Sequence, residues 1–401
     1  MTNVLICGAG VAGSALAYWL RRYGFAVTVV ERAPAPRLGG HTVDLRGAAR
    51  DVVERMDLLQ EIRQVAVDSK GMSFVNASGR RLADVPASFL GGNGVVGEVE
   101  ILRGDLVDLL HRVTEDETEY VFDDTITAVT QGPEGAHVTF ERSAPRVFDL
   151  VVAADGAHSR TRSLIFGPES RFSRELGCYT ASFTVPNVFG AQDWELFHNM
   201  PGRKMAALRP SRRPEEAKVL LGFASAPVDH DHRDPCGQKR IVAEVFAGAG
   251  WHVPVMLREM DAATDFYFDS ATQIVMDGWS RGRVVLLGDA GYSPSPLGGN
   301  GTGLALVGAY VLAGEMARAG GDHEEAFAAY EREMRAFVKQ CHKLPPGGVS
   351  GFVPKSRPAI GMRNLSIRLI PHLPWAGLIE KMASRADAIT LRDYARGQAR
   401  A

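Results

Sequence analysis

A chain of 401 residues exceeds the roughly 250–300 residues at which one hydrophobic core stops growing, so we expect two domains or one large domain with an inserted lobe. Apolar residues make up 45% of the chain and charged residues 23%, which argues against a disordered protein, and no apolar run is long enough for a membrane span. The formal net charge of −2 leaves no basic surface for a phosphate backbone, so we expect no nucleic-acid partner.

The first predicted unit is a βαβ motif built around a glycine loop. Residues 4–7 and 27–31 are short β-branched runs, and residues 11–23 between them have a helical pattern. The sequence GAGVAG, residues 8–13, follows the first strand and opens the helix, where a pyrophosphate can approach backbone N–H groups. Glu31 ends the second strand about 20 residues on, where a carboxylate reaches the hydroxyls of an adenosine ribose. The unit predicts a dinucleotide site, and the alternative for Glu31 is a solvated surface residue.

The remaining elements predict a different lobe inserted into the dinucleotide-binding domain. Residues 148–154 are apolar without alternation, which is typical of a buried parallel strand. Residues 172–268 contain alternating runs between proline- and charge-rich turns, which indicates an antiparallel lobe. Residues 284–287 are a continuous apolar strand again, followed by a glycine and proline loop and a helical pattern over residues 301–319. The Pro/Gly cluster at residues 345–348 ends the next helix and leaves a helical tail.

Two further motifs give the chain a specific resemblance. DGAHSRTR, residues 155–162, matches a DGxxSxxR signature, and GDA at residues 288–290 precedes PLGGNG at residues 296–301, a GDA then PxxGxG signature. Together with the GxGxxG loop, these signatures follow the order found in the class A flavoprotein monooxygenases, the para-hydroxybenzoate hydroxylase fold group. The chain resembles that family. Its loop RLGGHTVD, residues 37–44, is similar to the one in the tetracycline-modifying and aromatic polyketide hydroxylase branch.

The resemblance implies an α/β fold with a Rossmann-like FAD-binding domain, an inserted antiparallel-sheet substrate lobe and a C-terminal helical tail. We expect the FAD-binding domain to be discontinuous. The predicted ranges are 1–70, 100–171 and 272–345 for this domain, 71–99 and 172–271 for the lobe, and 346–401 for the tail.

The chemistry of the GDA loop fits a flavin. A carboxylate at Asp289 can accept a hydrogen bond from a ribityl hydroxyl, and the turn at residues 298–301 starts a helix whose positive dipole end can stabilise reduced flavin. The alternative is a plain proline and glycine loop that enters a helix. In the DGxxSxxR segment, Asp155 near a helix N-cap also has a purely structural interpretation.

By resemblance, Arg37 would meet the phosphates of NADPH, Asp44 would hold the flavin and Arg103 would contact FAD. From the residues alone, Arg37 can equally be solvated, and Arg103 can pair with Asp105 or Glu100. The predicted cofactor-binding residues are Gly8, Gly10, Ala12, Gly13, Glu31, Arg32, Arg37, Asp44, Arg103, Asp155, Gly288, Asp289, Pro296, Gly299, Asn300 and Gly301.

Two observations bear on metals and compartment. HDH at residues 230–232 has metal-ligating residue types, but its setting beside Pro235 favours a solvated turn, so we predict no metal. The four cysteines fall into no CxxC pair, which argues against a zinc site and against a disulfide-stapled secreted scaffold. We therefore expect a cytoplasmic protein.

The resemblance implies an FAD-dependent monooxygenase that consumes NADPH or NADH and O₂ and hydroxylates a bulky aromatic or polyketide-like small molecule through a C4a-hydroperoxyflavin. The sequence contains no Ser/His/Asp arrangement that stands out, so the catalytic residues stay unassigned. The alternatives on the same fold are a Baeyer–Villiger oxygenase, a reductase and an inert metabolite-binding flavoprotein. We expect a monomer or a homodimer.

Overall fold

The computed structural model describes residues 1–37, 39–67, 69–87, 99–232, 234–345, 347–369 and 389–394. Its strands are β1 (Asn3–Cys7), β2 (Ala26–Glu31), β3 (Thr42–Leu45), β4 (Gly71–Val75), β5 (Arg81–Pro86), β6 (Val99–Leu102), β7 (Glu119–Phe122), β8 (Ile126–Gly132), β9 (Gly135–Phe140), β10 (Arg146–Phe148), β11 (Leu150–Ala153), β12 (Ser173–Pro186), β13 (Trp194–Met200), β14 (Lys204–Pro210), β15 (Glu216–Ala224), β16 (Tyr267–Ile274), β17 (Ser280–Arg281) and β18 (Val284–Leu286). Its helices are α1 (Val11–Arg22), α2 (Gly47–Arg55), α3 (Leu59–Gln64), α4 (Arg103–Arg112), α5 (Arg160–Phe166), α6 (Pro235–Val245), α7 (Val253–Ala262), α8 (Asp289–Tyr292), α9 (Gly301–Arg318), α10 (His323–Cys341), α11 (Gly348–Phe352) and α12 (Arg357–Leu369).

The N-terminal strand lies inside a six-stranded sheet with the order β17-β18-β11-β1-β2-β7. β1 pairs in parallel with β2 and β11, and only the short β17 is antiparallel to its neighbour. The strands are apolar on both faces because both faces are covered. Val4 and Ile6 join the core that includes α1 and α9, while Leu5 and Cys7 pack against the three-stranded sheet β10-β9-β8.

The lobe is a seven-stranded sheet with the order β16-β12-β15-β14-β13-β4-β5. Its outer face packs against α6 and α7, where Leu221 shares a core with Val242 and Met256. Its inner face forms a second apolar cluster that includes Met205 and contacts Leu297 of the glycine and proline loop. The inner face of the lobe therefore lies against one of the predicted flavin loops.

The predicted α/β fold is confirmed in its main parts. The βαβ unit is β1, α1 and β2, and the buried strand predicted at residues 148–154 is β11. The described pairings of the lobe are antiparallel except for β13 with β4, which are parallel. Residues 88–98 of the predicted lobe and residues 370–388 and 395–401 of the predicted tail lie outside the described residues. The division into domains stays a prediction.

Within the described part of the chain, no helix is both long and apolar enough to cross a bilayer.

The segment 389–394 is held against α9 by a hydrogen bond and an ion pair. The Tyr394 hydroxyl donates to the buried Glu315 carboxylate at 2.9 Å, and Arg392 pairs with the same carboxylate at 3.2 Å. The Tyr394 ring occupies the space above Gly314, where a Cβ would collide with the ring carbons. The absence of a side chain at Gly314 therefore makes room for the aromatic ring.

We predict that Gly314→Ala destabilises the protein by about 1–3 kcal/mol, because the new methyl group overpacks against the Tyr394 ring. The unfolding free energy from denaturant titration measures the effect. Gly361→Ala is the matched control, since no described atom lies within 4 Å of a Cβ added there in α12, and the change should be neutral or stabilising. If Gly314→Ala lowers the free energy of unfolding equally in a Tyr394→Ala background, the effect does not come from contact with the Tyr394 ring and the prediction is wrong.

Candidate active site

The glycine loop after β1 combines two close contacts with one open position. Gly8 has φ +107°, and a Cβ there would lie 2.6 Å from the carbonyl oxygen of Ala154, while a Cβ at Gly13 would collide with the carbonyl oxygen of Gly8. Gly10 differs, because no described atom lies within 4 Å of its Cβ position. Gly10 is also the N-cap of α1 and offers no side-chain cap. The helix N-terminus thus faces open space in which an anion fits.

Glu31 closes the loop from the end of β2. Its Oε2 accepts the backbone N–H of Ala9 at 3.0 Å, and its Oε1 accepts that of Ala33 at 2.8 Å. Arg37 pairs with Glu31 at 3.3 Å, although its side chain is half exposed, and the neighbouring Arg32 is exposed. Glu31 is therefore fixed beside the glycine loop and is not a free surface residue.

Asp155 organises the start of α5. Its carboxylate accepts the backbone N–H and the hydroxyl of Thr161, both at 2.9 Å, and the Ser159 hydroxyl also donates to it. Ser159 in turn caps α5 by accepting the N–H of Arg162 at 2.9 Å. These bonds support the structural interpretation of Asp155 as a turn-forming residue.

Arg162 connects this motif to the GDA loop. Its fully buried guanidinium donates to the carbonyl oxygen of Ala290 at 3.0 Å and pairs with Glu169 at 2.8 Å. Because Ala290 belongs to the GDA motif, the two signatures are joined by one side chain. The arginine of DGxxSxxR thus holds the second loop in place and supports a cofactor site indirectly.

The GDA loop lies on α1 and leads into α9. A Cβ at Gly288 would approach the Cβ of Ala12 to 3.1 Å, and Gly301 lies close enough to Asp289 for a Cβ there to meet its carboxylate at 3.7 Å. Loss of solvent around Asp289 raises the pKa of its carboxyl group. Pro296, Gly299 and Asn300 lie in the turn before α9, whose N-cap has no side-chain cap. The N-terminus of a second helix is therefore also available to a ligand.

Arg103 lies between the two loops. Its guanidinium donates to the carbonyl oxygen of Gly39 at 3.4 Å, and burial lowers its pKa, partly offset by the nearby charges of Asp289 and Glu31. Asp105 pairs instead with Arg212 at 3.3 Å. The position of Arg103 among the two carboxylates favours the functional interpretation over a pair with Asp105.

A cluster of buried and partly buried charges that the sequence reasoning missed adjoins this region. Glu195 accepts from Arg209 at 2.6 Å, and Asp44 pairs with Arg46 at 2.5 Å. Glu100 faces Asp44 across β3 and β6, and no described donor reaches either of its carboxylate oxygens. Burial, reinforced by the charges of Asp44 and Glu195, raises the pKa of Glu100 to about 9. In the sequence, this cluster is indicated by charged residues that interrupt apolar strand runs.

The arrangement of these groups is that of a dinucleotide-binding protein. Two helix N-termini without side-chain caps, the carboxylates of Glu31 and Asp289 and the partly buried Arg103 lie at the carboxyl ends of parallel strands, which is where a dinucleotide binds. The residues present therefore fit FAD, with the lobe sheet opposite.

The comparisons with known proteins agree. Residues 1–344 match the family model described as an FAD binding domain, and the chain belongs to that family. It is 44% identical over 355 residues to an uncharacterized protein of Mycobacterium tuberculosis, covering 88% of this chain and 95% of that protein. It is 38% identical over 342 residues to a flavin-dependent monooxygenase of Legionella longbeachae, covering 85% and 87%.

The crystal structure of the tetracycline destructase Tet(51) has the same fold, with a TM-score of 0.83 and 31% identity over 98% of this chain and 99% of that one. These findings confirm the predicted fold class and family. The chain is an FAD-dependent monooxygenase. The roles assigned to individual cofactor-binding residues stay predictions.

We predict that Gly10→Ala lowers FAD affinity at least tenfold, about 1.4 kcal/mol, because the methyl group fills space that a pyrophosphate would use. The apoprotein should unfold at an unchanged temperature, since the added atom meets nothing in the protein. Fluorescence titration of apoprotein with FAD measures the affinity. Gly250→Ala, at a position equally open, is the control and should bind as the wild type. Unchanged FAD affinity in Gly10→Ala would rule out this cradle.

The raised pKa of Glu100 predicts a pH-dependent stability. Between its ordinary value of 4.5 and about 9, the folded protein keeps a proton that the unfolded chain releases, so the free energy of unfolding falls as pH rises. Glu100→Gln removes this titration and should gain stability relative to the wild type as pH increases over that range. Denaturant titrations of both proteins at several pH values test this. The exposed Glu54→Gln is the control, and a Glu100→Gln difference that does not vary with pH would contradict the prediction.

Proposed function

We propose that this protein uses NADPH or NADH and O₂ to hydroxylate a bulky aromatic or polyketide-like small molecule bound between the flavin site and the inner face of the lobe sheet. The observation that carries the proposal is the contact of that inner face with Leu297, which belongs to the loop leading into α9. A substrate on the sheet would therefore lie beside the predicted flavin.

The composition of the inner face supports an aromatic substrate. Its centre is apolar and is covered by Val349 and Phe352 of α11 and Ile367 of α12, so a flat ring system would bind beside this cluster. The buried residues of the cluster are Met72, Phe74, Ala83, Cys178, Phe197, Met205, Ala207 and Ala271 on the sheet and Val353 after α11. The similarity to a tetracycline destructase supports a multi-ring substrate.

The same sheet carries polar groups that can orient a substrate. Arg209 and Lys218 lie on neighbouring strands on the face that carries Glu195, and Lys218 pairs with Asp265 at 3.2 Å. Each charge is already paired, so a substrate would meet hydrogen-bonding groups of fixed orientation. Oxygenated ring substituents would suit them.

The chain contributes binding, orientation and electrostatics. Bound FAD, once reduced by a nicotinamide cofactor, supplies activated oxygen for transfer to an electron-rich carbon. The N-terminus of α9 places a positive dipole end beside Asp289, where negative charge on a reduced flavin would be stabilised. The apolar sheet limits water at the substrate, which suppresses wasteful peroxide release. Half-exposed Arg37, beside the glycine loop, is the proposed contact for the nicotinamide cofactor phosphates.

The decisive experiment follows NADPH and NADH oxidation with a panel of polycyclic phenols and tetracyclines under ¹⁸O₂. We expect one substrate class to stimulate oxidation and to gain one labelled oxygen atom on a ring carbon. Asp289→Ala is the matched control and should lose both flavin and activity, because its carboxylate is the proposed ribityl acceptor. Label inserted into a ring as a lactone would indicate a Baeyer–Villiger oxygenase, and a reduced product without label would indicate a reductase. Peroxide as the sole product with every compound would contradict the proposed substrate class.

A further inference from the structure

Three metal-ligating side chains from separate elements meet beside the lobe. They are His158 in the turn before α5, His232 in the turn after β15, and Asp269 on β16. One donor atom from each lies within 4.8 Å of the others. His158 Nε2 is 3.0 Å from Asp269 Oδ2, and His232 Nδ1 is 4.0 Å from Asp269 Oδ1. The three ligand atoms are therefore spaced so that one small cation could contact all of them.

A second layer of groups fixes this geometry. The other nitrogen of His158, Nδ1, lies 2.9 Å from a Glu169 carboxylate oxygen, and Glu169 is held by the buried Arg162 at 2.8 Å. The Tyr267 hydroxyl donates to Asp269 at 2.7 Å. A carboxylate on the far nitrogen of a metal-ligating histidine fixes the tautomer and orients the ring. Glu169, His158 and Asp269 have this carboxylate–histidine arrangement.

The electrostatics require a positive charge between His158 and Asp269. With a proton on Nδ1 for Glu169, the lone pair of Nε2 would face the Asp269 carboxylate unless a cation lies between them. A metal ion bound to Nε2 and to the Asp269 carboxylate would supply that charge.

We propose that His158 Nε2, His232 Nδ1 and the Asp269 carboxylate bind one divalent transition-metal ion of the Zn²⁺ type, with water as the remaining ligand. Two imidazoles and one carboxylate suit Zn²⁺, whereas Mg²⁺ and Ca²⁺ prefer oxygen ligands alone. His232 is 48% exposed and His158 36% exposed, which leaves a path for the ion to enter.

The ion would join two parts of the molecule. His158 follows β11 of the six-stranded sheet, whereas His232 and Asp269 belong to the lobe. Binding would therefore tie the lobe to the flavin-binding side and stabilise their contact. The setting of HDH beside Pro235 predicted a solvated turn, and neither His158 nor Asp269 is near it along the chain. In the structure, His232 of the HDH sequence lies near His158 and Asp269, and both of these can bind a metal ion.

The test uses flavin-loaded protein that has been dialysed against a chelator, in a Cys236→Ser background because Cys236 is an exposed thiol close to His232. Zn²⁺ is titrated in competition with a chromophoric chelator. We expect one ion per chain. His232→Ala should weaken the affinity more than about 100-fold, and Glu169→Gln by about 10–100-fold without a change in stoichiometry. Zn²⁺ should raise the melting temperature of the parent but not of His232→Ala.

His137→Ala is the matched control, since His137 is an exposed histidine on β9, and it should bind Zn²⁺ as the parent does. Two results would overturn the proposal. One is the failure of the parent to bind a stoichiometric ion. The other is binding that is unchanged in His232→Ala and in Asp269→Asn, which would place the ion elsewhere.

Discussion

The loops that follow β1, β11 and β18 pack against each other at one edge of the six-stranded sheet. These strands are parallel, so their carboxyl ends meet there, and the chain can bring three distant segments to one ligand. The approach is close enough to exclude side chains: Gly8 lies against the carbonyl oxygen of Ala154, and Gly288 lies against Ala12. A larger residue at Gly8 would push the β11 end away and displace the DGxxSxxR segment with it. The cofactor site depends on this backbone contact.

The charges around the cradle divide into two groups with different roles. Near the loops, the N-termini of α1 and α9 have no side-chain caps and carry positive dipole ends, while Glu31 and Asp289 carry carboxylates. On β3, β6 and the lobe sheet, the Glu195–Arg209 ion pair is buried, the Asp44–Arg46 pair is partly buried, and burial raises the pKa of Glu100 beside them to about 9. Pairing and protonation leave this second group without a large field of either sign. Such a group gives hydrogen-bonding direction to a substrate more than it gives attraction.

The glycine motifs were predictable because they are local. The positions of Gly8, Gly13 and the GDA loop follow from a strand, a tight turn and a helix in succession, and the structure has each of these. The pairing of Glu195 with Arg209 depends on the register of β13 with β14. β4 comes early in the chain and β13 much later, so their parallel pairing depends on how the lobe sheet is assembled from distant segments. Neither contact can be predicted from the spacing of apolar residues, because that spacing shows which face of a strand is buried but not which strand pairs with it.

Arg162 shows how one motif residue can act at a distance from the cofactor. Its guanidinium is fully buried, and one side of it holds the carbonyl oxygen of Ala290 in the GDA loop. Its other side holds Glu169, which contacts His158, and His158 contacts Asp269 in the lobe. A single chain of hydrogen bonds therefore runs from the GDA loop to the lobe sheet. A shift of the lobe would therefore move Glu169. A buried guanidinium cannot lose a hydrogen-bond partner without a large cost, so Arg162 and the GDA loop that it holds would move as well. The distance between the GDA loop and the lobe sheet is thus set by a polar link as well as by apolar packing.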